Sequence, residues 1–284
     1  MGDLAAHYSR FRVSARLLLT GHSHQAWPDA GFAGQQRAWL DAAELVDGKW
    51  AAAEAQADQV RRGFGRLVGD DPARIALGAN THELVTRWLS ALPLGRRPRL
   101  VTTNGEFHTI RRQLARLAEE GLSVEVVPAR PVATLSERLG SAVDDRTSGV
   151  LVSSVLFDTA ECVPGLPVIA AACERHGAAL LVDAYHHLNV RPFDVDAMGL
   201  QRAFVTGGGY KYCQLGEGNA FLRVPSDVAL RPVLTGWFAE FADLHHAGTQ
   251  PVAYGSGADA FKGATYDPTS HYRAARPASA RLSP

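Results

Sequence analysis

From residue 74 onward, short apolar runs typical of β-strands alternate with longer stretches whose apolar residues recur at helical intervals. This alternation is typical of a mainly parallel sheet, because two parallel neighbours need a crossover segment, usually a helix, between them. Seven runs have strand character: 75–77, 100–102, 124–127, 150–153, 179–182, 203–206 and 220–224. The sequence therefore predicts an α/β protein with a mainly parallel, seven-stranded sheet between helices.

The stretches between the predicted strands have the features of crossover helices. Segments 84–92, 110–120 and 168–176 space their apolar residues at helical intervals. Gly121 and Gly177 follow two of these segments, at positions where a helix commonly ends. We therefore expect these segments to cover the sheet.

The two ends of the chain differ from this pattern. Residues 17–20 form a short apolar run, and 32–67 is rich in alanine and helical in character. The pattern weakens beyond Trp237, and 273–284 consists largely of Arg, Ala, Ser and Pro, which predicts a disordered tail. We expect an N-terminal arm and helical cap over 1–70, a large domain over 71–240 and a C-terminal remainder over 241–284.

Charge and cysteine content narrow the class of protein. The 29 basic and 29 acidic residues give no net charge, so no global field favours nucleic acid or an anionic membrane, and a small-molecule partner is expected. The three cysteines form no CxxC pair, which argues against a disulfide framework and a structural zinc site. No run reaches the roughly 18 apolar residues of a membrane span. These features predict a soluble, cytoplasmic protein.

A glycine-rich segment with a lysine follows one predicted strand. Gly207-Gly208-Gly209-Tyr210-Lys211-Tyr212 comes directly after 203–206. Ligands of open α/β sheets bind outside the carboxyl ends of the strands, so Lys211 is placed to meet one, and the glycines would let the backbone turn tightly. An isolated lysine of this kind is more often a surface residue on a flexible loop, so its interpretation depends on its surroundings.

Asp183 supplies those surroundings. It stands 28 positions before Lys211, at the end of the predicted strand 179–182. A carboxylate there can pair with the ring nitrogen of pyridoxal 5'-phosphate (PLP) and keep it protonated, so that the ring withdraws electrons. Such a charge-assisted bond contributes about 1.5–3 kcal/mol. The alternative is that Asp183 caps a helix after the strand.

Five segments carry a resemblance to a known family, in the same order and with the same spacing from about Leu19 to Tyr272. They are Asn80-Thr81-His82, Phe107-His108-Thr109, Asp183-Ala184-Tyr185-His186, Gly209-Tyr210-Lys211-Tyr212 and Gly236-Trp237-Phe238. The chain resembles the kynureninases of the class V aminotransferase group, which are fold-type-I PLP enzymes. This resemblance implies the large domain of that fold, PLP as cofactor and a homodimer.

The resemblance also implies roles for single residues. Lys211 would hold PLP and act as a base, and Asp183 would bind the ring nitrogen. Phe107 would stack on the ring, while the amides of Thr81 and His82 would bind the phosphate at a helix N-terminus. Each of the last three has a structural alternative, as a core aromatic residue or an ordinary N-cap.

Further residues are assigned by the same resemblance. His186 would lie near the phosphate or the ring oxygen, and Tyr210 would contact the phosphate and assist proton transfer. Trp237 would reach a phosphate across a dimer interface, and Thr265 would also contact the cofactor. His22 and Ser23 would contact the substrate. A satisfied structural histidine and packing tyrosine or tryptophan residues are the alternatives, and His187 makes the choice of histidine ambiguous.

The implied activity is hydrolytic cleavage of the Cβ–Cγ bond of kynurenine or a related aryl-keto amino acid. Other class V enzymes, including aminotransferases, desulfurases, lyases and epimerases, are built around the same aspartate and lysine, so these activities stay open. A PLP-binding protein without catalytic activity is the third alternative.

The chain departs from the kynureninases at several points. Ile110 stands where they carry an aspartate, and Leu156-Phe157-Asp158-Thr159-Ala160 replaces their Asn-Tyr-x-Thr-Gly. Full-length kynureninases continue into a small C-terminal domain with an arginine that binds the substrate carboxylate, whereas this chain ends soon after Tyr272. We therefore expect a fold in which that small domain is largely missing.

Histidine pairs raise the question of a metal. His22 and His24 lie two residues apart, and His245 and His246 are adjacent. Two histidines bind a metal well only with further converging ligands, and no HExxH or carboxylate-rich motif supplies them. The sequence therefore predicts no metal site.

Overall fold

The computed structural model describes residues 4–246 and 251–280 and contains a seven-stranded sheet. The strands are β1 (Ile75–Gly78), β2 (Arg99–Thr103), β3 (Ser123–Val127), β4 (Thr147–Ser153), β5 (Ala179–Asp183), β6 (Phe204–Gly208) and β7 (Ala220–Arg223). Their order across the sheet is β1-β7-β6-β5-β4-β2-β3. β7 runs antiparallel to β1 and β6, and all other neighbours are parallel. All seven predicted strands and the mainly parallel sheet are confirmed.

Helices cover both faces of this sheet. They are α1 (Asp29–Leu45), α2 (Lys49–Val68), α3 (Thr81–Ala91), α4 (His108–Glu119), α5 (Leu135–Ala142), α6 (Leu166–His176) and α7 (Thr269–Ala280). The α3 and α4 helices share one apolar core with alternate residues of the central strands, including Leu151 and Leu181. A second core joins α2, α5 and α6 to the residues that point the other way, including Val150 and Val182. This alternation follows from the two-residue period of a strand.

The predicted disordered tail is wrong as far as residue 280. Residues from Thr269 onward form α7, which packs against α1 and α2. Close approach rather than large side chains makes this contact, because a Cβ added at Gly34 would lie 2.1 Å from the carbonyl oxygen of Tyr272. Small residues leave no strong apolar pattern, which explains the wrong prediction. Residues 281–284 lie outside the described chain.

The N-terminal arm reaches the segment that follows Lys211. It begins with short 3-10 helices at Leu4–Phe11 and Val13–Ala15. The hydroxyl of Tyr8 donates a hydrogen bond to Oε1 of Gln214 over 2.5 Å. The arm therefore lies beside one end of the sheet rather than apart from it.

Among the described residues, no helix is both long and apolar enough to cross a membrane.

Candidate active site

The strand register brings the predicted site residues to one edge of the sheet. Asp183 at the end of β5 pairs with Ser153 of β4 and with Thr206 of β6. Gly78 of β1 and Gly208 of β6 both pair with Ala220 of β7, which lies between them. The carboxyl ends of β1 and β6 are therefore about 10 Å apart, two strand spacings. The N-terminus of α3 and the segment with Lys211 share this edge.

The amine of Lys211 is buried among aromatic rings and is not a surface group. Lys211 is 6% exposed. Its Nζ atom lies 5.0 Å from the ring centres of Phe107 and Tyr185 and 5.7 Å from that of Tyr210. Burial lowers the pKa of Lys211, and the charge of Asp183 opposes this effect. The surroundings thus increase the fraction of neutral, nucleophilic amine.

Asp183 presents a carboxyl group with one oxygen occupied. Its Oδ1 atom accepts a hydrogen bond from the backbone N–H of Tyr185 over 2.8 Å, within a turn that follows β5. In the described part of the chain, its Oδ2 atom has no hydrogen-bond partner. Burial raises the pKa of Asp183 to about 6, while the Tyr185 amide and the charge of Lys211 act in the opposite direction. Asp183 is therefore mainly a carboxylate at neutral pH, with one oxygen available.

His186 contacts the lysine directly. Its Nε2 atom lies 2.6 Å from Nζ of Lys211. Burial and the charge of Lys211 lower the pKa of His186 to about 4, and the ring is hydrogen-bonded to the backbone of His22. His187 instead contacts Ser154 and the carbonyl of Pro192. Of the two adjacent histidines, His186 is therefore the one at the site.

Tyr210 lies between the turn after β5 and the N-terminal arm. Its ring centre is 5.2 Å from that of Tyr185 and 5.5 Å from that of His24. Burial is the main cause that raises the pKa of Tyr210, so its phenol stays protonated at neutral pH. Ser23 contacts Nδ1 of His24 over 2.8 Å. The arm therefore forms one wall of the site, where His22 and Ser23 were predicted.

The described residues include no group of three or more His, Cys, Asp or Glu side chains arranged to hold a metal ion. The side chains of His245 and His246 lie outside the described part.

The N-terminus of α3 has the form of an anion site. The helix begins at Thr81, and Oδ1 of Asn80 accepts a hydrogen bond from the amide N–H of Glu83 over 2.9 Å. Oε2 of Glu83 in turn accepts a hydrogen bond from the amide N–H of Ala79 over 3.1 Å. This reciprocal cap leaves the amides of Thr81 and His82 without an acceptor inside the helix. The predicted N-cap and the predicted phosphate site are therefore compatible.

The glycines before Lys211 are needed for space rather than for a tight turn. Gly207 and Gly208 belong to β6, and none of the three glycines has a positive φ. A Cβ added at Gly208 would lie 2.4 Å from the phenol oxygen of Tyr185, and one at Gly209 would lie 2.7 Å from Cβ of Leu215. The expectation of a tight turn was wrong, because two of the glycines continue the strand. The space that a Cβ would need is taken by the side chains of Tyr185 and Leu215.

Two residues assigned to the cofactor are not brought to Lys211 within the single chain. Trp237 is 46% exposed, and its ring packs on Phe238 and Phe241. Thr265 is exposed. In the described chain, no hydrogen bond or ring contact joins either residue to Lys211. Contact across a dimer interface stays a prediction for Trp237.

Tyr185 and Glu106 lie at the site but were missed by the sequence analysis. Tyr185 occupies one of the two variable positions of the Asp-x-x-His segment, and its ring faces Lys211. Glu106 is 1% exposed and directly precedes Phe107. A signal for it existed, since it is the only charged residue between positions 100 and 107 and follows a predicted strand.

Comparison with known sequences gives distant relatives. No protein-family model matches the chain. It is 26% identical over 191 residues to an uncharacterized aminotransferase, YcbU, of Bacillus subtilis (strain 168), covering 66% of this chain and 50% of that protein. It is 27% identical over 207 residues to isopenicillin N epimerase of Streptomyces clavuligerus, covering 70% and 51%. The chain spans about half the length of the curated relatives it matches.

Solved structures resemble the chain more completely. A mutant of C-DES with glycine covalently linked to the PLP cofactor superposes with a TM-score of 0.84 at 17% identity, covering 99% of this chain and 74% of that chain. The chain has the fold of the fold-type-I PLP enzymes. A complex of the cystine C–S lyase C-DES with its product cysteine persulfide gives a TM-score of 0.77 at 18% identity, covering 93% and 71%. These comparisons confirm the predicted fold, and none of these proteins is named a kynureninase.

The chemistry of the site fits PLP, the cofactor of this fold. A free carboxylate oxygen on Asp183 suits the ring nitrogen, and the buried amine of Lys211 suits the aldehyde. The uncapped amides at the start of α3 suit the phosphate. These groups lie on one edge of the sheet, where ligands of open α/β folds bind.

Proposed function

We propose that the chain is a PLP-dependent enzyme that acts on an amino acid and begins its reaction by removing the proton from Cα. The observation that carries this proposal is the buried Lys211 amine, 2.6 Å from a histidine whose pKa is lowered to about 4. An amine with a lowered pKa can act as a base near neutral pH. When bound, PLP would hold the substrate amine covalently and draw electrons away from Cα.

Four groups of the chain would hold the cofactor. The amides of Thr81 and His82 would bind its phosphate, and Oδ2 of Asp183 would accept from its ring nitrogen. Phe107 would cover one face of the ring, since its own ring already lies 5.0 Å from the Lys211 amine. Asp183 suits this role because its carboxyl group is mainly ionised above pH 6 and can then accept a hydrogen bond from a protonated ring nitrogen.

The hydrogen bond between Lys211 and His186 would orient the base. A neutral His186 accepts from the amine and so restricts its rotation. Since His186 is in turn bonded to the backbone of His22, the N-terminal arm helps to hold the pair. The ring of Tyr210 lies 5.7 Å from the amine, and its phenol, which is protonated at neutral pH, would be a hydrogen-bond donor at the site.

Several reaction types can follow the removal of the Cα proton. The relatives are named as an aminotransferase, an epimerase and a cystine C–S lyase. We include Cβ–Cγ cleavage of a kynurenine-like amino acid because an aromatic cluster stands beside Phe107. The ring of Phe157 lies 5.3 Å from those of Phe107 and His108, and Phe157 is 36% exposed. An aryl side chain of a substrate would find stacking partners there.

Exchange of the Cα hydrogen tests the shared step without assuming the product. The purified chain with PLP is incubated in heavy water with single amino acids, including cystine, alanine and kynurenine, and the Cα–H signal is followed by NMR. We expect exchange with at least one amino acid, and its loss in Lys211→Ala but not in the control Lys49→Ala. Anthranilate released from kynurenine would identify the finer activity. Bound PLP without exchange of any substrate would contradict the proposal and support a silent PLP-binding protein.

A further inference from the structure

Glu106 is a buried acid that is connected to Asp183 through Ser153. The residue is 1% exposed and lies between the end of β2 and the start of α4. Its carboxyl group contacts Ser153 at the end of β4, and Ser153 pairs in register with Asp183 on β5. The mechanism proposed above uses Asp183 and leaves Glu106 without a role. A fully buried carboxyl group is costly unless it is paired or neutral, so it requires an explanation.

The hydrogen-bond partners of Glu106 are Thr103 and Ser153. Thr103 Oγ1 accepts from the amide of Gly105 and therefore donates its own hydrogen to Glu106 Oε1, over 2.7 Å. The amide of Ser153 also donates to Oε1, over 3.2 Å. Oε1 thus has the two donors of a carbonyl oxygen. Oε2 has one neighbour, the hydroxyl of Ser153, which donates to it over 2.6 Å and would become the acceptor if Glu106 carried the proton.

The charges near Glu106 favour its protonated form. In the described chain no basic side chain forms an ion pair with it. Asp183 on β5 is the charged group whose field reaches Glu106, and Lys211 lies beyond Asp183. Burial raises the pKa of Glu106 to about 7, against the hydrogen bonds from Ser153 and Thr103, which lower it, and the charge of Asp183 adds a smaller increase. A fully buried carboxyl group next to a second, partly buried one, with one nearby amine, favours a single negative charge on the pair.

We infer that Glu106 is a positioning residue that carries the proton of the Glu106–Asp183 pair, so that Asp183 keeps the negative charge that faces the cofactor. This inference rests on the proposed function for its catalytic meaning. Glu106 also holds the loop of Phe107 to the end of β4 through Ser153. One side chain therefore sets both the charge opposite the ring nitrogen and the placement of the stacking ring.

The protonation state is measurable on the PLP-free protein. Since the folded pKa of Glu106 lies above the unfolded value, its stabilising contribution is present below pH 4.5 and is lost as pH rises to about 7. Glu106→Gln keeps the shape and the neutral charge. We therefore expect the stability of this variant, relative to wild type, to increase between pH 4.5 and 7 and to level off above pH 7, as measured by urea unfolding.

A matched control and a second variant separate charge from structure. Glu137→Gln removes an exposed carboxylate on α5 and should show no such increase. Asp183→Asn removes the neighbouring charge, so in this background the increase for Glu106→Gln should move to lower pH. A purely structural Glu106 would not respond to Asp183. A stability difference that stays constant from pH 4.5 to 8 would mean that Glu106 is ionised throughout and would overturn the inference.

PLP binding gives an independent readout of the loop. We expect Glu106→Gln to bind PLP within about threefold of wild type, since the amide replaces the protonated acid. Glu106→Leu, which loses every contact to Ser153, should bind at least tenfold more weakly. Equal binding by the leucine variant would overturn the loop role. If wild type itself fails to bind PLP, the proposed function fails, whereas the urea experiment still decides the protonation of Glu106.

Discussion

The Nζ atom of Lys211 lies 2.6 Å from Nε2 of His186, a distance at which one nitrogen donates and the other accepts. Because the pKa of His186 is lowered to about 4, the imidazole is neutral at physiological pH and is the acceptor. His186 is therefore hydrogen-bonded to the amine of Lys211, whereas the resemblance implied a position near the phosphate or the ring oxygen of PLP. Four predictions follow from this pair and from the surrounding structure.

Replacement of His186 by leucine should slow the attachment of PLP to Lys211. The variant removes the acceptor that orients the amine, and a hydrogen bond between neutral groups contributes about 0.5–1.5 kcal/mol, or roughly 2–10-fold. The rate is followed by the absorbance change on adding PLP to the PLP-free protein. His176→Gln, at the C-terminal end of α6, is the control and should leave the rate unchanged. Wild-type kinetics in His186→Leu would show that the contact has no function.

Replacement of Asp183 by asparagine should leave PLP bound but reduce Cα exchange by about 10–100-fold, the equivalent of one charge-assisted hydrogen bond. The neutral amide no longer holds the ring nitrogen protonated. Bound PLP is measured by absorbance and exchange by NMR in heavy water. Asp145→Asn, an exposed residue that contacts His176, is the control. Unchanged exchange would show that Asp183 only stabilises the turn through Tyr185.

PLP should promote a homodimer. Apolar residues are exposed on α1, where Trp39 is 79% exposed, and near Trp237, which is predicted to reach a phosphate across the interface. A ligand that binds only the assembled state stabilises that state by mass action. Sedimentation velocity at micromolar protein, with and without PLP, measures the change. A monomer in both conditions would contradict a shared site, and Trp237→Ala should weaken the response to PLP.

Introduction of a methyl group at Gly34 should destabilise the contact between α1 and α7. A Cβ there would lie 2.1 Å from the carbonyl oxygen of Tyr272, and overpacking of this kind costs about 1–3 kcal/mol. Urea unfolding of Gly34→Ala measures the loss. Gly95→Ala is the matched control, because a Cβ at Gly95 meets nothing within 4 Å. Equal stability of the two variants would mean that α7 does not pack in this way in solution.

The sequence by itself determined the sheet and the edge of the sheet at which Asp183 and Lys211 lie. The strands were predictable because apolar runs such as β4, buried at all seven positions, leave a continuous pattern when both faces are covered. The placement of Asp183 and Lys211 was predictable because Asp183 directly follows such a run, the glycine-rich segment with Lys211 follows another, and parallel strands end at a common edge. These inferences depend on local pattern and on the geometry that every parallel sheet shares.

Only the tertiary structure decided which side chains meet at that edge. Glu106 is 77 residues from Asp183 in sequence (183 − 106), and the register of β4 with β5 brings Ser153, the partner of Glu106, beside Asp183. The α7 helix was missed because contacts of glycine and alanine leave no strong apolar period, although they let helices approach closely. Proximity between distant segments depends on packing, and packing determines burial, which shifts the pKa values of Glu106, Asp183 and His186.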